Sequence, residues 1–135
     1  MSDYGISITL DTGFAETVER TRAALAEQGF GVLTEIDVAA TMKAKLAQDM
    51  APYLILGACN PPLAHQAISV DPSIGMLLPC NVVVRSIDGA HTLVEAMDPN
   101  VMVTATGNAG LAPVAAQARE RITAALATLS NQASS

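Results

Sequence analysis

The chain has 135 residues, half of them apolar, with seven Lys or Arg against thirteen Asp or Glu for a formal net charge of −6. That length suits a single domain that buries a sizeable core without staples. The acidic balance argues against phosphate backbones and anionic lipid as partners, and with Tyr4, Phe14, Phe30 and Tyr53 as the only aromatics and no Trp, a stacking platform for bases is missing.

In chain order, Met1 to Tyr4 show no basic region leading into an apolar stretch and a small-residue cleavage site, so no secretory signal is visible. Tyr4 to Leu10 reads as a strand, with Ile6, Ile8 and Leu10 on one face and Ser7 and Thr9 on the other, the period of two expected where one face is wet. Asp11, Thr12 and Gly13 break it. From Phe14 the spacing turns helical: Phe14, Val18, Leu25 and the alanines between form one stripe, and Glu16, Glu19, Arg20 and Arg22 take the other side. Gly29 supplies the stop.

Phe30 to Val38 suggests a second strand, with Phe30, Val32, Ile36 and Val38 at even positions and Thr34 as the exception. Good helix formers from Ala39 to Leu46 predict a short helix. Met50-Ala51-Pro52 is a turn, and Pro52 opens a third strand, Tyr53 to Cys59, where its missing donor costs least. This apolar run is far shorter than the roughly 20 residues that cross a bilayer. Asn60 is a favoured N-cap and Pro61 fits the first helical position, so a helix carrying Leu63, Ala64, Ala67 and Ile68 runs to about Val70, before the turn at Asp71-Pro72. Pro79 to Arg85 is the fourth strand; Ser86 to Ala90 is a turn built on Asp88-Gly89; His91 to Met97 is the fifth.

Asp98-Pro99 looks like another cap and first helical residue, which predicts a short helix over Pro99 to Thr106. The β-branched Val101, Val103, Thr104 and Thr106 argue for a strand there instead. Asn108 is the next cap. The last helix carries a stripe of Leu111, Val114, Ala115, Ala118, Ile122, Leu126 and Leu129, and the tail, residues 130–135, is expected to fray. No repeat or second domain interrupts residues 1–129.

Early, middle and late helices with compactly joined strands favour an α+β fold: a mostly antiparallel sheet of about five strands, two long helices on one face, and short inserted helices. Antiparallel third and fourth strands would bring Cys59 and Cys80, the only cysteines, to one end of the sheet. Parallel ones would hold them roughly 23 Å apart. We expect the antiparallel arrangement.

The stretches Leu54-Ile55-Leu56-Gly57-Ala58-Cys59-Asn60-Pro61-Pro62-Leu63-Ala64 and Ile74-Gly75-Met76-Leu77-Leu78-Pro79-Cys80-Asn81-Val82-Val83-Val84, with Gly29-Phe30, Glu35-Ile36-Asp37-Val38 and Asp98-Pro99, resemble the signature of the domain-of-unknown-function 302 family. The likeness runs from about Tyr4 to Leu126. It implies a small bacterial or archaeal α+β protein with a curved antiparallel sheet, compact homodimers being found among its members, and leaves the function open.

Cys59 and Cys80 are the candidate catalytic thiols, and Cys59, Asn60, His65, Cys80 and Asn81 the candidate ligand-binding set. A helix starting at Pro61 would offer free N–H groups and a positive dipole end to a Cys59 thiolate or an anion. Against this, free cysteines at strand ends are commonly buried small hydrophobes, and Asn60 has sufficient reason as a cap. Cys59, His65, Cys80 and His91 have no zinc-module spacing, so no metal or other cofactor is expected. Neither a nucleophile elbow nor a phosphate loop is present. The leading expectation is a cytoplasmic homodimer that binds a small molecule or partner through the Cys-Asn edge, its alanine-rich helix faces packing on a second copy. Thiol redox or sulfur-carrier chemistry at Cys59 and Cys80, and a purely structural assembly domain, are the alternatives.

Overall fold

Antiparallel pairing governs the whole sheet in the computed structural model, which describes residues 3–133. The strands are β1 (Gly5–Leu10), β2 (Gly31–Asp37), β3 (Tyr53–Cys59), β4 (Cys80–Ser86) and β5 (Thr92–Met97), and the helices α1 (Phe14–Glu27), α2 (Val38–Leu46), α3 (Pro61–Val70), α4 (Val101–Thr106) and α5 (Ala112–Ala133). The spatial order is β1-β5-β4-β3-β2. This is the α+β architecture expected from the sequence.

Strand alternation divides the sheet into two unlike faces. On one, Ile8, Val94, Val84 and Leu54 form a row, followed by Ile6, Ala96, Val82 and Leu56. Val18, Leu25, Ile122, Leu126 and Leu129 of α1 and α5 pack over these rows in a single core. A second core lies beneath the first half of α5, where Val114, Ala115 and Ala118, with Leu111 from the 3₁₀ turn just before the helix, meet Leu63 and Ala67 of α3, Ile74 and Met102. The stripe predicted for the last helix, whose first residue Leu111 falls just before α5, is thus shared between two cores, and each of its residues is 4% exposed or less.

Local chemistry sets the helix ends. Gly29 takes φ +83° just past α1, the left-handed conformation that glycine adopts without strain, and the Phe30 N–H closes back on the Leu25 carbonyl at 2.9 Å. Asp37 Oδ1 accepts from Ala40 N to start α2. The contested segment before α5 is a helix, Val101–Thr106. Met102, only 3% exposed, anchors it in the second core, so burial overrides the β-branched preference.

Three expectations need correction. The expected alternation of β2 fails because the register shifts between Val32 and Thr34; Val32 pairs with Ala58 and packs on the core, whereas Ile36 pairs with Ile55 on the opposite face. Asp71-Pro72 is more than a turn, since Asp71 caps a 3₁₀ helix over Pro72–Leu77. Helix α5 continues past Ser130 to Ala133, held by the buried Leu129 one turn earlier; Ser134 and Ser135 lie outside the described residues.

Candidate functional site

Cys80 opens β4 directly across from Ala58, and Cys59 is the next residue along β3. Strand spacing and rise put the two cysteine Cα atoms roughly 6 Å apart. Both are free thiols, Cys80 buried and Cys59 half-buried. They help line a cavity of about 30 Å³, with Leu63, Ala67, Met102 and Val114 among its walls. That volume holds one or two waters at most, and the exposed wall is wholly apolar.

Asn60 is committed to structure. Its Oδ1 accepts from Leu63 N at 3.3 Å, and its Nδ2 donates to the Gln28 carbonyl at 3.4 Å. The same carbonyl accepts from Arg121 Nη1 at 3.3 Å, so this corner ties together the end of α1, the start of α3 and the middle of α5.

The free donors expected at the start of α3 are not there. Pro61 and Pro62 carry no N–H, the Leu63 N–H is taken by the Asn60 side chain, and the Ala64 N–H is bonded to the Asn60 carbonyl at 2.8 Å. A thiolate at Cys59 therefore finds no open hydrogen-bond donor in the first turn of the helix. Burial, and secondarily the nearby Cys59, pushes the Cys80 thiol up from 9.0 to about 11. It stays protonated at neutral pH.

The histidines stand elsewhere. His65 is exposed on α3, and His91 is exposed in the β4–β5 turn, where its Nδ1 lies 3.0 Å from Asp88 Oδ1. The Ala90 N–H, and then the His91 ring, hold Asp88 below its usual pKa. Among the described residues no three His, Cys, Asp or Glu side chains converge on a point that could hold a metal ion.

Asn81 is the member of the expected set that reaches a different environment. It sits opposite Gly57, and alternation turns it away from Cys80 onto the face that α1 and α5 leave uncovered. One row on this open face runs Thr34, Gly57, Asn81, Met97 and Gly5; the next runs Ile36, Ile55, Val83, Glu95 and Ser7. Where the rows approach β1, Tyr4, Gly5, Asn81, Val83, Glu95 and Met97 line a cleft of about 250 Å³. Gly5 leaves that end open because it has no side chain. Apart from Asn81, none of these residues was singled out by sequence reasoning. The available signal was Glu95, a carboxylate alternating with the buried Val94 and Ala96 in an otherwise uncharged strand.

The family profile described as "Domain of unknown function DUF302" matches residues 6–129. The chain belongs to the DUF302 family. The crystal structure of an uncharacterised conserved DUF302 protein from Bacillus stearothermophilus is similar over 93% of this chain and 97% of that one, with 30% identity and a TM-score of 0.85. Among curated proteins no relative matches. In this DUF302 protein both Cys-Asn pairs lie at one end of the sheet, with the asparagines in separate roles: Asn60 caps a helix and Asn81 faces the open cleft. No helix among the described residues is long and apolar enough to cross a membrane.

Proposed function

We propose that this DUF302 protein is a homodimeric binding module whose ligand-facing surface is the open face of the sheet beside the Cys-Asn corner. The observation that carries the reading is the contrast between the two sides of that corner. The thiol side has an apolar cavity of about 30 Å³, whereas the open side has a cleft of about 250 Å³ that combines an amide, a carboxylate, an aromatic ring and apolar walls. A few polar groups set among apolar ones is the usual make-up of a small-molecule site.

The second copy is assigned to β2, α2 and the segment that follows. Leu33, Ile36, Leu46 and Met50, all within residues 33–50, are exposed, and exposed large apolar side chains favour burial against a partner. This leaves the cleft at the β1 side of the sheet for the ligand. Thiol chemistry at Cys59 and Cys80 has less support, because the helix start offers no open donor and Cys80 is held protonated. Cytoplasmic residence fits two reduced cysteines.

The test is amide chemical-shift mapping of the full chain against a library of small neutral, cationic and anionic fragments. The reading expects shifts on Gly5, Asn81, Val83, Glu95 and Met97. Shifts confined to residues 59–67, or none anywhere, would overturn it.

A further inference from the structure

We propose that the corner between Cys59, Cys80 and Met102 is a soft-metal site that takes one Cu(I) ion, independently of the open face. The three sulfur-bearing residues come from the end of β3, the start of β4 and the first turn of α4, and all line the cavity of about 30 Å³. Sequence reading grouped the cysteines with histidines and passed over Met102, because the whole β4–β5 hairpin stands between it and Cys80.

Chemistry selects the ion. Thiolate and thioether are soft donors that favour Cu(I), whereas Mg, Ca and Mn need oxygen. Structural zinc takes a tetrahedron of nitrogen and sulfur ligands, and no His, Asp or Glu joins the two cysteines along the cavity wall. That wall is otherwise apolar, with Leu63, Ala67 and Val114 in it. A volume that holds one or two waters at most admits a bare ion and excludes a hydrated one.

The fold holds the donors in place before any ion arrives. Cys80 and Met102 are 7% and 3% exposed; the first is fixed by its pairing with Ala58 and the second by the core beneath α5. Cys59 is half-buried and gives an entering ion its first contact. Its neighbour Asn60 is tied to Leu63 N and the Gln28 carbonyl, which steadies the end of β3. On binding, each S–H bond gives way to a bond between sulfur and copper, the proton passes to solvent, and copper stays monovalent. Burial, with the nearby Cys59, keeps the empty Cys80 thiol protonated; a cation in the cavity reverses that preference. Cys59 and Cys80 are the only ionisable residues lining the cavity.

The probe is Cu(I) held by bicinchoninate and titrated into the reduced full-length chain without oxygen. One ion per chain is expected to leave the chelator, with an ultraviolet thiolate-to-copper band, protection of Cys59 from iodoacetamide, and an affinity that rises with pH as Cys80 gives up its proton. Cys80→Ala and Cys59→Ser should each weaken binding by at least about a hundredfold, the top of the range for losing a partner outside the ligand shell. Met102→Leu keeps the packing volume and should weaken it by about tenfold, the bottom of that range. A native-like amide spectrum for each variant reports that it folds. No transfer from the chelator, Zn(II) bound as tightly as Cu(I), equal copper binding by the native chain and either cysteine variant, or an affinity untouched by Met102→Leu overturns the proposal.

Discussion

Thr34 Oγ1 occupies the space over Gly57 that a β-carbon would need. A side chain at position 57 would collide with that hydroxyl and come within 2.8 Å of Pro79 Cγ. Three features meet at this contact: the β2 register shift between Val32 and Thr34, the approach of Pro79 to β3, and the pairing of Asn81 with Gly57.

Gly57→Ala is accordingly expected to destabilise the fold by about 1–3 kcal/mol, the usual range for overpacking. Thr34→Ala in the same chain should recover part of the loss, because it removes the nearer clash and leaves Pro79. Urea unfolding of the two single variants and the double variant forms a cycle that measures the coupling. Additive effects would show that Thr34 and Gly57 do not share this space.

Removing the cap should be costly for its size. Asn60→Ala takes away the acceptor for Leu63 N and the donor to the Gln28 carbonyl at a position only 7% exposed. A loss of about 1–2 kcal/mol is expected in chemical denaturation, at the upper part of the range for N-cap replacements. Asn81→Ala, at an exposed position, should change stability by less than about 0.5 kcal/mol.

The pair of asparagines also shows how far the sequence could be read. Cap chemistry placed Asn60 correctly, because Asn followed by proline has a local mechanism that needs no tertiary knowledge. The five strands and the core stripes of α1 and α5 were legible for a similar reason, since periodicity reports burial directly, whereas the spatial order of the strands was not. The β2 shift was visible only as Thr34 breaking the alternation, and its cause, a glycine on the neighbouring strand, lies 23 residues away in sequence. The free donors expected near Cys59 were a misreading of Pro61-Pro62, which suits a helix start because it has no N–H to offer. The cleft was missed because three separate segments, at residues 4–5, 81–83 and 95–97, contribute to it only after the sheet has formed.

Alkaline pH should reveal Cys80. Its folded-state pKa of about 11 lies above the ordinary 9.0, so its contribution is fully present below about pH 9 and is lost as pH rises toward 11, where the unfolded chain has released the proton and the folded chain still holds it. The loss is on the order of 2 kcal/mol. Denaturation midpoints of the native chain and of Cys80→Ala between pH 8 and 11 should converge. At pH 8, iodoacetamide should label the half-buried Cys59 before Cys80; the reverse order would contradict the burial argument.

Dimerisation through β2 and α2 is tested by Ile36→Glu combined with Leu46→Glu. Both positions are already exposed, so the folded monomer should tolerate them. Light scattering is expected to give a dimer mass for the native chain at micromolar concentration and a monomer mass for the variant. A native monomer would contradict the assignment.

The open face and the thiol corner can be set against each other in one measurement. Fragments that bind the native chain are titrated against two blocked forms: Val83→Trp, which fills the open-face cleft, and native chain whose accessible thiol has been capped with methyl methanethiosulfonate. The account predicts binding lost in Val83→Trp and retained after capping. Binding retained in Val83→Trp and lost on capping would contradict it, and would return the site to Cys59 and Cys80.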